Sequence, residues 1–251
     1  KNYLLHVPFL LRCLALVLVI LVLARPQTTN KWQNSEIEGI DIMLAIDVST
    51  SMLAEDLKPN RLEAAKDVAA EFINGRPNDN IGITLFAGET FTQCPLTVDH
   101  AVLLDMIHNI KCGLITDGTA VGMGIANAVT RLKDSKAKSK VIILLTDGTN
   151  NKGDISPMTA AEIAKSFGIR VYTIGVGTNG MAPYPYPVGN TVQYVSMPVE
   201  IDEKTLTEIA GTTDGNYFRA TSNSKLKEVY EEIDKLEKTK LNVKEYSKRD
   251  E

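Results

Sequence analysis

The ten residues from 42 to 51 have the sequence IMLAIDVSTS, an apolar run followed directly by polar side chains. The apolar half is typical of a strand that is buried on both faces. The polar half places a carboxylate, Asp47, and two hydroxyls, Ser49 and Ser51, on alternate residues. A tight loop can turn all three towards one point, and oxygen ligands with one negative charge suit a hard divalent cation. The cluster contains no Cys or His, which argues against zinc.

Helix capping is the alternative explanation of these residues, because Ser and Asp are common caps in loops that follow strands. Two further segments favour a metal site. Residues 117–119, DGT, lie in a predicted turn before a helical pattern, and residues 146–148, TDG, directly follow a second apolar run. Each adds a hydroxyl or a carboxylate, so we expect Thr119 and Asp147 to join the first loop.

The composition is that of one large globular domain. The chain has 251 residues, 44% of them hydrophobic, and is long enough to bury a full core. A formal net charge of −4 and the lack of a basic stripe argue against binding to nucleic acid. The three cysteines at positions 13, 94 and 112 have no CxxC spacing. Cys94 and Cys112 could pair in an oxidising compartment, but buried free thiols are the preferred interpretation.

Apolar runs alternate with amphipathic segments from residue 40 onwards. Strands are predicted at 41–46, 81–86, 90–96, 141–145, 170–176 and 216–219. Helices are predicted at 61–73, 101–110, 119–132, 160–167, 202–210 and 224–238, with an irregular run at 178–197. This order predicts an α/β fold with a doubly wound, mostly parallel central sheet between two layers of helices. Ligand sites in such sheets form at the carboxyl ends of strands, where the strand order reverses.

The first 26 residues are predicted to be a transmembrane anchor. Residues 13–24 are an unbroken apolar run, and residues 7–11 extend it with Arg12 as an interruption, which reaches the minimum of about 17 residues for a span. A signal peptide is the alternative, although Arg25 and Pro26 after its possible cleavage site disfavour it. We expect residues 27–39 to be a linker, 40–238 the folded domain and 239–251 a charged tail.

With these features the chain resembles the von Willebrand factor type A (VWA) domain over about residues 40–238, which implies a Rossmann-like VWA fold. The metal-ion-dependent adhesion site (MIDAS) of that family consists of a DxSxS loop, a Thr in a second loop and an Asp in a third. The matching positions here are Asp47, Ser49, Ser51, Thr119 and Asp147. More narrowly, the sequence ARPQ at 24–27, with the stretches 47–52, 60–62 and 91–97, looks like the aerotolerance (Bat, BatA-like) family of bacterial membrane-anchored VWA proteins.

The resemblance implies a protein-interaction module and not an enzyme. In VWA sites the hydroxyls contact the metal and some carboxylates act through water, so Ser49, Ser51 and Thr119 would touch Mg²⁺, or Mn²⁺ in its place. An Asp or Glu of a protein partner would then fill the open coordination position. The resemblance also implies a VWA domain on the periplasmic face of the bacterial inner membrane. Sibling Bat proteins and a MoxR-type AAA+ ATPase are the implied associates, in aerotolerance or envelope stress.

Two other functions remain as alternatives. A metal-dependent hydrolase is conceivable because Mg²⁺ can activate water, but the cluster has no clear general base or nucleophile. A metal-independent structural scaffold would bind its partner equally well without the cation. A dinucleotide site is rejected: residues 175–180, GVGTNG, match GxGxxG, but Pro183 and Pro185 prevent the helix that such a site needs.

The segment at 181–188 alternates tyrosines with prolines. It follows the carboxyl end of a predicted strand and should therefore lie on the metal side of the sheet. Aromatic and proline side chains are favoured at interfaces, so we expect this segment to influence the choice of partner. The alternative is an ordinary surface excursion, because loops often carry such residues.

Overall fold

The computed structural model describes residues 39–189 and 191–249, together with a few isolated positions between 7 and 19. The chain divides into two units, residues 1–37 and residues 38–251. The predicted anchor at 1–26 and linker at 27–39 lie almost entirely outside the described residues. No helix in the described part of the chain is long and apolar enough to cross a membrane. The anchor therefore stays a prediction.

The second unit alternates strands with helices. In chain order its elements are β1 (Asp41–Asp47), a 3-10 turn (Thr50–Leu53), α1 (Arg61–Asn74), β2 (Asn80–Phe86), β3 (Thr90–Thr97), α2 (His100–His108), α3 (Val121–Leu132), β4 (Lys140–Thr146), α4 (Pro157–Ser166), β5 (Ile169–Val176), β6 (Met181–Val188), β7 (Thr191–Pro198), α5 (Glu203–Thr212), β8 (Tyr217–Ala220) and α6 (Asn223–Arg249).

The main sheet has the strand order β3-β2-β1-β4-β5-β8, and only the β2–β3 pairing is antiparallel. Every residue of β1 is buried. Its alternate side chains point to opposite faces: Leu44 belongs to the core shared with α1, α2 and α6, whereas Met43 belongs to the core shared with α3, α4 and α5. The doubly wound, mostly parallel fold is thereby confirmed. Because the strand order reverses at β1, a cleft is expected beside the carboxyl ends of β1 and β4.

The prediction of an irregular run at 178–197 is wrong for most of that range. Strands β6 and β7 pair there as an antiparallel hairpin over eight residue pairs. The prolines at 183, 185 and 187 sit on every second residue of β6. The Pro183 carbonyl accepts a hydrogen bond from the Glu55 N–H (2.8 Å), so this edge of the backbone faces away from β7. Prolines on the outer edge remove no cross-strand hydrogen bond, which is why the hairpin forms.

Several helix boundaries differ from prediction by a few residues, and two of the differences matter here. Helix α3 begins at Val121 and not at 119, so Thr119 belongs to the preceding loop. The Ala120 N–H there donates to the Ala87 carbonyl (2.7 Å), which keeps the loop next to β2. Helix α6 continues from Asn223 to Arg249, past the predicted end at 238 and through most of the predicted charged tail.

Candidate metal centre

The two candidate carboxylates lie where β1 and β4 end side by side. Asp47 is the last residue of β1, and Asp147 directly follows the last residue of β4. The two strands pair in parallel, with Ile46 opposite Leu145. Both carboxylates are buried, with 0% of Asp47 and 3% of Asp147 exposed to solvent. The expectation that these strands are neighbours is therefore confirmed, and their pairing brings the two acids to the same edge of the sheet.

Hydrogen bonds join the first loop to the third. The Ser51 hydroxyl donates to Asp147 Oδ1 (2.7 Å), and the Ser49 and Ser51 hydroxyl oxygens are 3.0 Å apart. Asp47 Oδ1 accepts from the Ser49 N–H (2.9 Å), and Asp47 Oδ2 accepts from the Thr146 hydroxyl (2.6 Å). Asp47 thus bends its own loop through a bond to the residue two positions on, a common local motif of Asp.

Thr119, on the second loop, is buried beside the third loop. Its hydroxyl lies 3.4 Å from the position that a Cβ would take at Gly148, the neighbour of Asp147. The Thr119 N–H donates to the Asn151 side chain (2.9 Å), and the Asn151 N–H donates back to the Thr119 carbonyl (3.0 Å). The structure therefore brings all five predicted residues to one edge of the sheet.

A buried ion pair with Arg61, which the sequence did not predict, holds one carboxylate oxygen of Asp147. Arg61 Nη1 donates to Asp147 Oδ2 (2.7 Å), while Nε and Nη2 bind both oxygens of Asp56 (2.8 and 2.7 Å). Asp56 also accepts from the Thr178 N–H (2.8 Å). The side chains of Arg61 and Asp56 are only 4% and 2% exposed. An Arg at the start of an amphipathic helix is usually solvated, so its sequence position gave no signal of this burial.

Asp117 restrains the first loop from the solvent side. Its two carboxylate oxygens accept from the Thr50 N–H (3.0 Å) and the Thr50 hydroxyl (2.8 Å). Thr50 lies between Ser49 and Ser51, so Asp117 holds the segment that carries both serine hydroxyls. The sequence predicts a functional turn at 117–119 but indicates no role for Asp117 itself.

The electrostatics of the site leave a deficit of positive charge at Asp47. Burial raises the pKa of Asp47 to about 7, with a further contribution from Asp147, and the hydrogen bonds from Ser49 and Thr146 offset only part of this rise. Burial also raises the pKa of Asp147, although Arg61 opposes the rise. For Asp56, burial is outweighed by the hydrogen bonds from Arg61 and Thr178, so its pKa is lowered. A bound divalent cation would supply the counter-charge that Asp47 lacks.

The donor atoms at this edge fit a hard cation. They are carboxylate and hydroxyl oxygens, which Mg²⁺ and Mn²⁺ accept together with water. Among the described residues, no group of three or more His, Cys, Asp or Glu side chains is placed to hold a metal. Cys112 lies nearby and donates to the Ser49 carbonyl (3.4 Å). Burial, with a smaller contribution from the carboxylates of Asp47 and Asp147, raises the pKa of Cys112 to about 12.

Cys94 and Cys112 are both free thiols, so they do not form the disulfide that was left open. Cys94 is buried, as the sequence predicts, whereas Cys112 is partly exposed.

The chain belongs to the von Willebrand factor type A domain family, whose family model matches residues 41–232. The narrower resemblance to aerotolerance proteins is also confirmed. BatB from Bacteroides thetaiotaomicron is 34% identical, with a TM-score of 0.70 over 80% of this chain and 100% of that one. An aerotolerance-related membrane protein from Bacteroides fragilis is 32% identical, with a TM-score of 0.69 over 78% of this chain and 98% of that one. A UPF0353 protein from Mycolicibacterium paratuberculosis is 32% identical over 90% of this chain and 68% of its own length.

Proposed function

We propose that this VWA domain binds a protein partner through a divalent cation held by Asp47, Ser49, Ser51, Thr119 and Asp147. The observation that carries the proposal is the continuous set of contacts between oxygens from separate loops. Ser49 lies 3.0 Å from Ser51, and Ser51 lies 2.7 Å from Asp147. Hydroxyl groups at these distances around a buried acid supply the oxygen-only environment that Mg²⁺ prefers, with Mn²⁺ as a substitute.

The charges around the site explain why a partner carboxylate is needed. Arg61 already neutralises one oxygen of Asp147, and the serine and threonine ligands carry no charge. Part of the charge of a divalent cation would therefore remain uncompensated after Asp47 and the chain's other groups have bound. A metal in this position attracts an anionic oxygen, and an Asp or Glu side chain of another protein supplies one. The domain acts in this way as a metal-dependent adhesion module and not as an enzyme.

The biological setting is the second part of the proposal. The domain is tethered by the apolar segment at 1–26 to the bacterial inner membrane and faces the periplasm. It works in aerotolerance or envelope stress with sibling Bat proteins and a MoxR-type AAA+ ATPase. Support comes from the similarity to the Bacteroides fragilis protein, whose name describes it as aerotolerance-related and as a membrane protein.

Calorimetric titration of Mg²⁺ and Mn²⁺ into the full chain tests the metal site. We expect binding to the wild type and none to Asp47→Ala, because Asp47 organises the first loop through Ser49. Asp67→Ala is the matched control, since Asp67 is an exposed acid on α1. Equal heats for Asp47→Ala and the wild type would overturn the site assignment. Partner capture that is the same in Mg²⁺ and in EDTA would favour the metal-independent scaffold.

A further inference from the structure

A pocket of about 260 Å³ opens directly beside the candidate metal position. One wall comes from the first loop and the start of α1, and the other comes from the β6–β7 hairpin. The lining includes Ser51, Ala54, Arg61, Ala182, Tyr186 and Met197. Ser51 is itself a candidate metal ligand, so the pocket and the open coordination position share a border. A partner segment that reaches the metal can therefore extend into this pocket.

Most of the hairpin side chains that line the pocket project from one face of the hairpin. Cross-strand pairing places Ala182 opposite Met197 and Tyr184 opposite Val195, and residues directly opposite each other in an antiparallel pair project from the same face. Met197 is 48% exposed and Tyr186 is 57% exposed, so much of this apolar wall is in contact with water. Covering it with an apolar side chain would be favourable.

The hairpin is held against the domain by Glu55. The Glu55 N–H donates to the Pro183 carbonyl (2.8 Å), and the Tyr194 hydroxyl donates to the Glu55 carboxylate (3.0 Å). Both bonds join the hairpin to the segment that follows the Ser51 turn. The two walls are thus fixed to each other, and a ligand does not need to assemble the pocket.

We infer that this pocket receives an apolar side chain, preferably aromatic, that flanks the acidic residue of an extended partner segment. The inference rests on the proposed function, because the metal would bind the acidic residue of the partner beside the pocket. Arg61 is the charged residue of the described lining, and its charge is already paired with Asp56 and Asp147, so the pocket has little attraction for a second acid. Tyrosine rings, Met197 and Ala182 instead match an aromatic or aliphatic group.

Two blocked peptides test the inference, Gly-Phe-Glu-Phe-Gly and Gly-Ala-Glu-Ala-Gly, titrated into the full chain in saturating Mg²⁺ and in EDTA. Flanking the Glu on both sides makes the result independent of chain direction. We expect the Phe peptide to bind roughly tenfold more tightly than the Ala peptide in Mg²⁺, as burial of one aromatic side chain implies. In EDTA we expect neither peptide to bind.

Two variants of the hairpin distinguish binding in the pocket from nonspecific binding to exposed apolar side chains. Met197→Ser changes the pocket face, whereas Met181→Ser is the matched control on the opposite face, where 56% of Met181 is exposed. We expect Met197→Ser to remove most of the advantage of the Phe peptide and Met181→Ser to preserve it. Equal binding of the two peptides in Mg²⁺, or an equal effect of the two variants, overturns the pocket while leaving the proposed function standing. If neither peptide binds in Mg²⁺, both the proposed function and the pocket are overturned. If the Phe peptide binds in EDTA, the link between the pocket and the metal is overturned.

Discussion

Arg61 and Asp147 form a buried ion pair, with Arg61 Nη1 2.7 Å from Asp147 Oδ2. The other oxygen of the same carboxylate accepts from Ser51 (2.7 Å). Arg61 therefore decides which oxygen of Asp147 faces the hydroxyl cluster, and it also connects the metal edge to Asp56 and the loop after β5. The positioning of the candidate site depends on an interior charge network as well as on the loops themselves.

Replacing Arg61 by Met should destabilise the fold and weaken metal binding together. The variant leaves Asp56 and Asp147 buried without their cation, a change that typically costs about 3–5 kcal/mol. Chemical denaturation and Mg²⁺ titration measure the two effects. Arg131→Met is the control, because Arg131 is exposed on α3 and donates to Thr92. An Arg61→Met protein as stable as this control would show that the network contributes little.

The pH dependence of stability should report on Asp47 when the metal is removed. Because the pKa of Asp47 is raised to about 7 in the folded state, the folded protein holds a proton that the unfolded chain releases near pH 4. The stability from this proton is fully present below about pH 4 and is lost as the pH rises through about 7. In EDTA the free energy of unfolding should therefore fall across this range, by about 4 kcal/mol.

Asp47→Asn should remove that fall, because the amide stays neutral and has about the same shape. In EDTA near pH 8 the variant should be more stable than the wild type, and saturating Mg²⁺ should stabilise only the wild type. Denaturation curves at several pH values, with and without Mg²⁺, provide the measurement. If the free energy of unfolding of the two proteins changes with pH in the same way in EDTA, burial of a charge at Asp47 is not the cause of the fall.

Much of the site was predictable because its signals are local. Alternate hydroxyls after a strand and a hydroxyl before a helix are visible along the chain, and apolar runs place the strands that carry Asp47 and Asp147. The Arg61 network was not predictable, since a charged residue becomes buried only when tertiary contacts supply its partners. The hairpin was missed for a related reason. Whether the prolines of β6 break a strand depends on which edge faces β7, and the sequence pattern does not reveal that edge.

At the opposite end of the sheet, a buried acid should make the free energy of unfolding depend on pH in the opposite direction. Glu237 on α6 is 1% exposed and accepts from Tyr172 (2.6 Å), Ser139 (2.8 Å) and Arg170 (2.9 Å). Burial is outweighed by these hydrogen bonds, led by those from Arg170 and Tyr172, so the pKa of Glu237 is lowered. The stability it contributes is present above the ordinary pKa of about 4.3 and is lost as the pH falls through the lower, folded value.

Glu237→Gln should accordingly reduce the free energy of unfolding near neutral pH by about 2 kcal/mol, and the deficit should shrink in acid. Glu231→Gln is the matched control, because Glu231 is an exposed residue of the same helix. Mg²⁺ affinity should be unchanged in both variants, since Ser139 and Arg170 lie at the amino ends of β4 and β5, away from the metal edge. A deficit that persists undiminished at low pH would mean that shape, and not charge, is what Glu237 contributes.

Asp117 offers a test of loop positioning that spares the core. Its carboxylate holds Thr50 through two hydrogen bonds on the exposed side of the first loop (3.0 and 2.8 Å). Asp117→Ala should lower Mg²⁺ affinity by roughly 10-fold, a usual loss when a group that orients a metal ligand is removed, and should leave the melting temperature almost unchanged. Thr50→Val, which removes only the hydroxyl bond, should have a smaller effect, and Asp154→Ala, in another exposed loop, should have none. If Asp117→Ala binds Mg²⁺ as tightly as Asp154→Ala, the serine hydroxyls keep their arrangement without this clamp, and the contacts from Asp47 and Asp147 alone organise the loop.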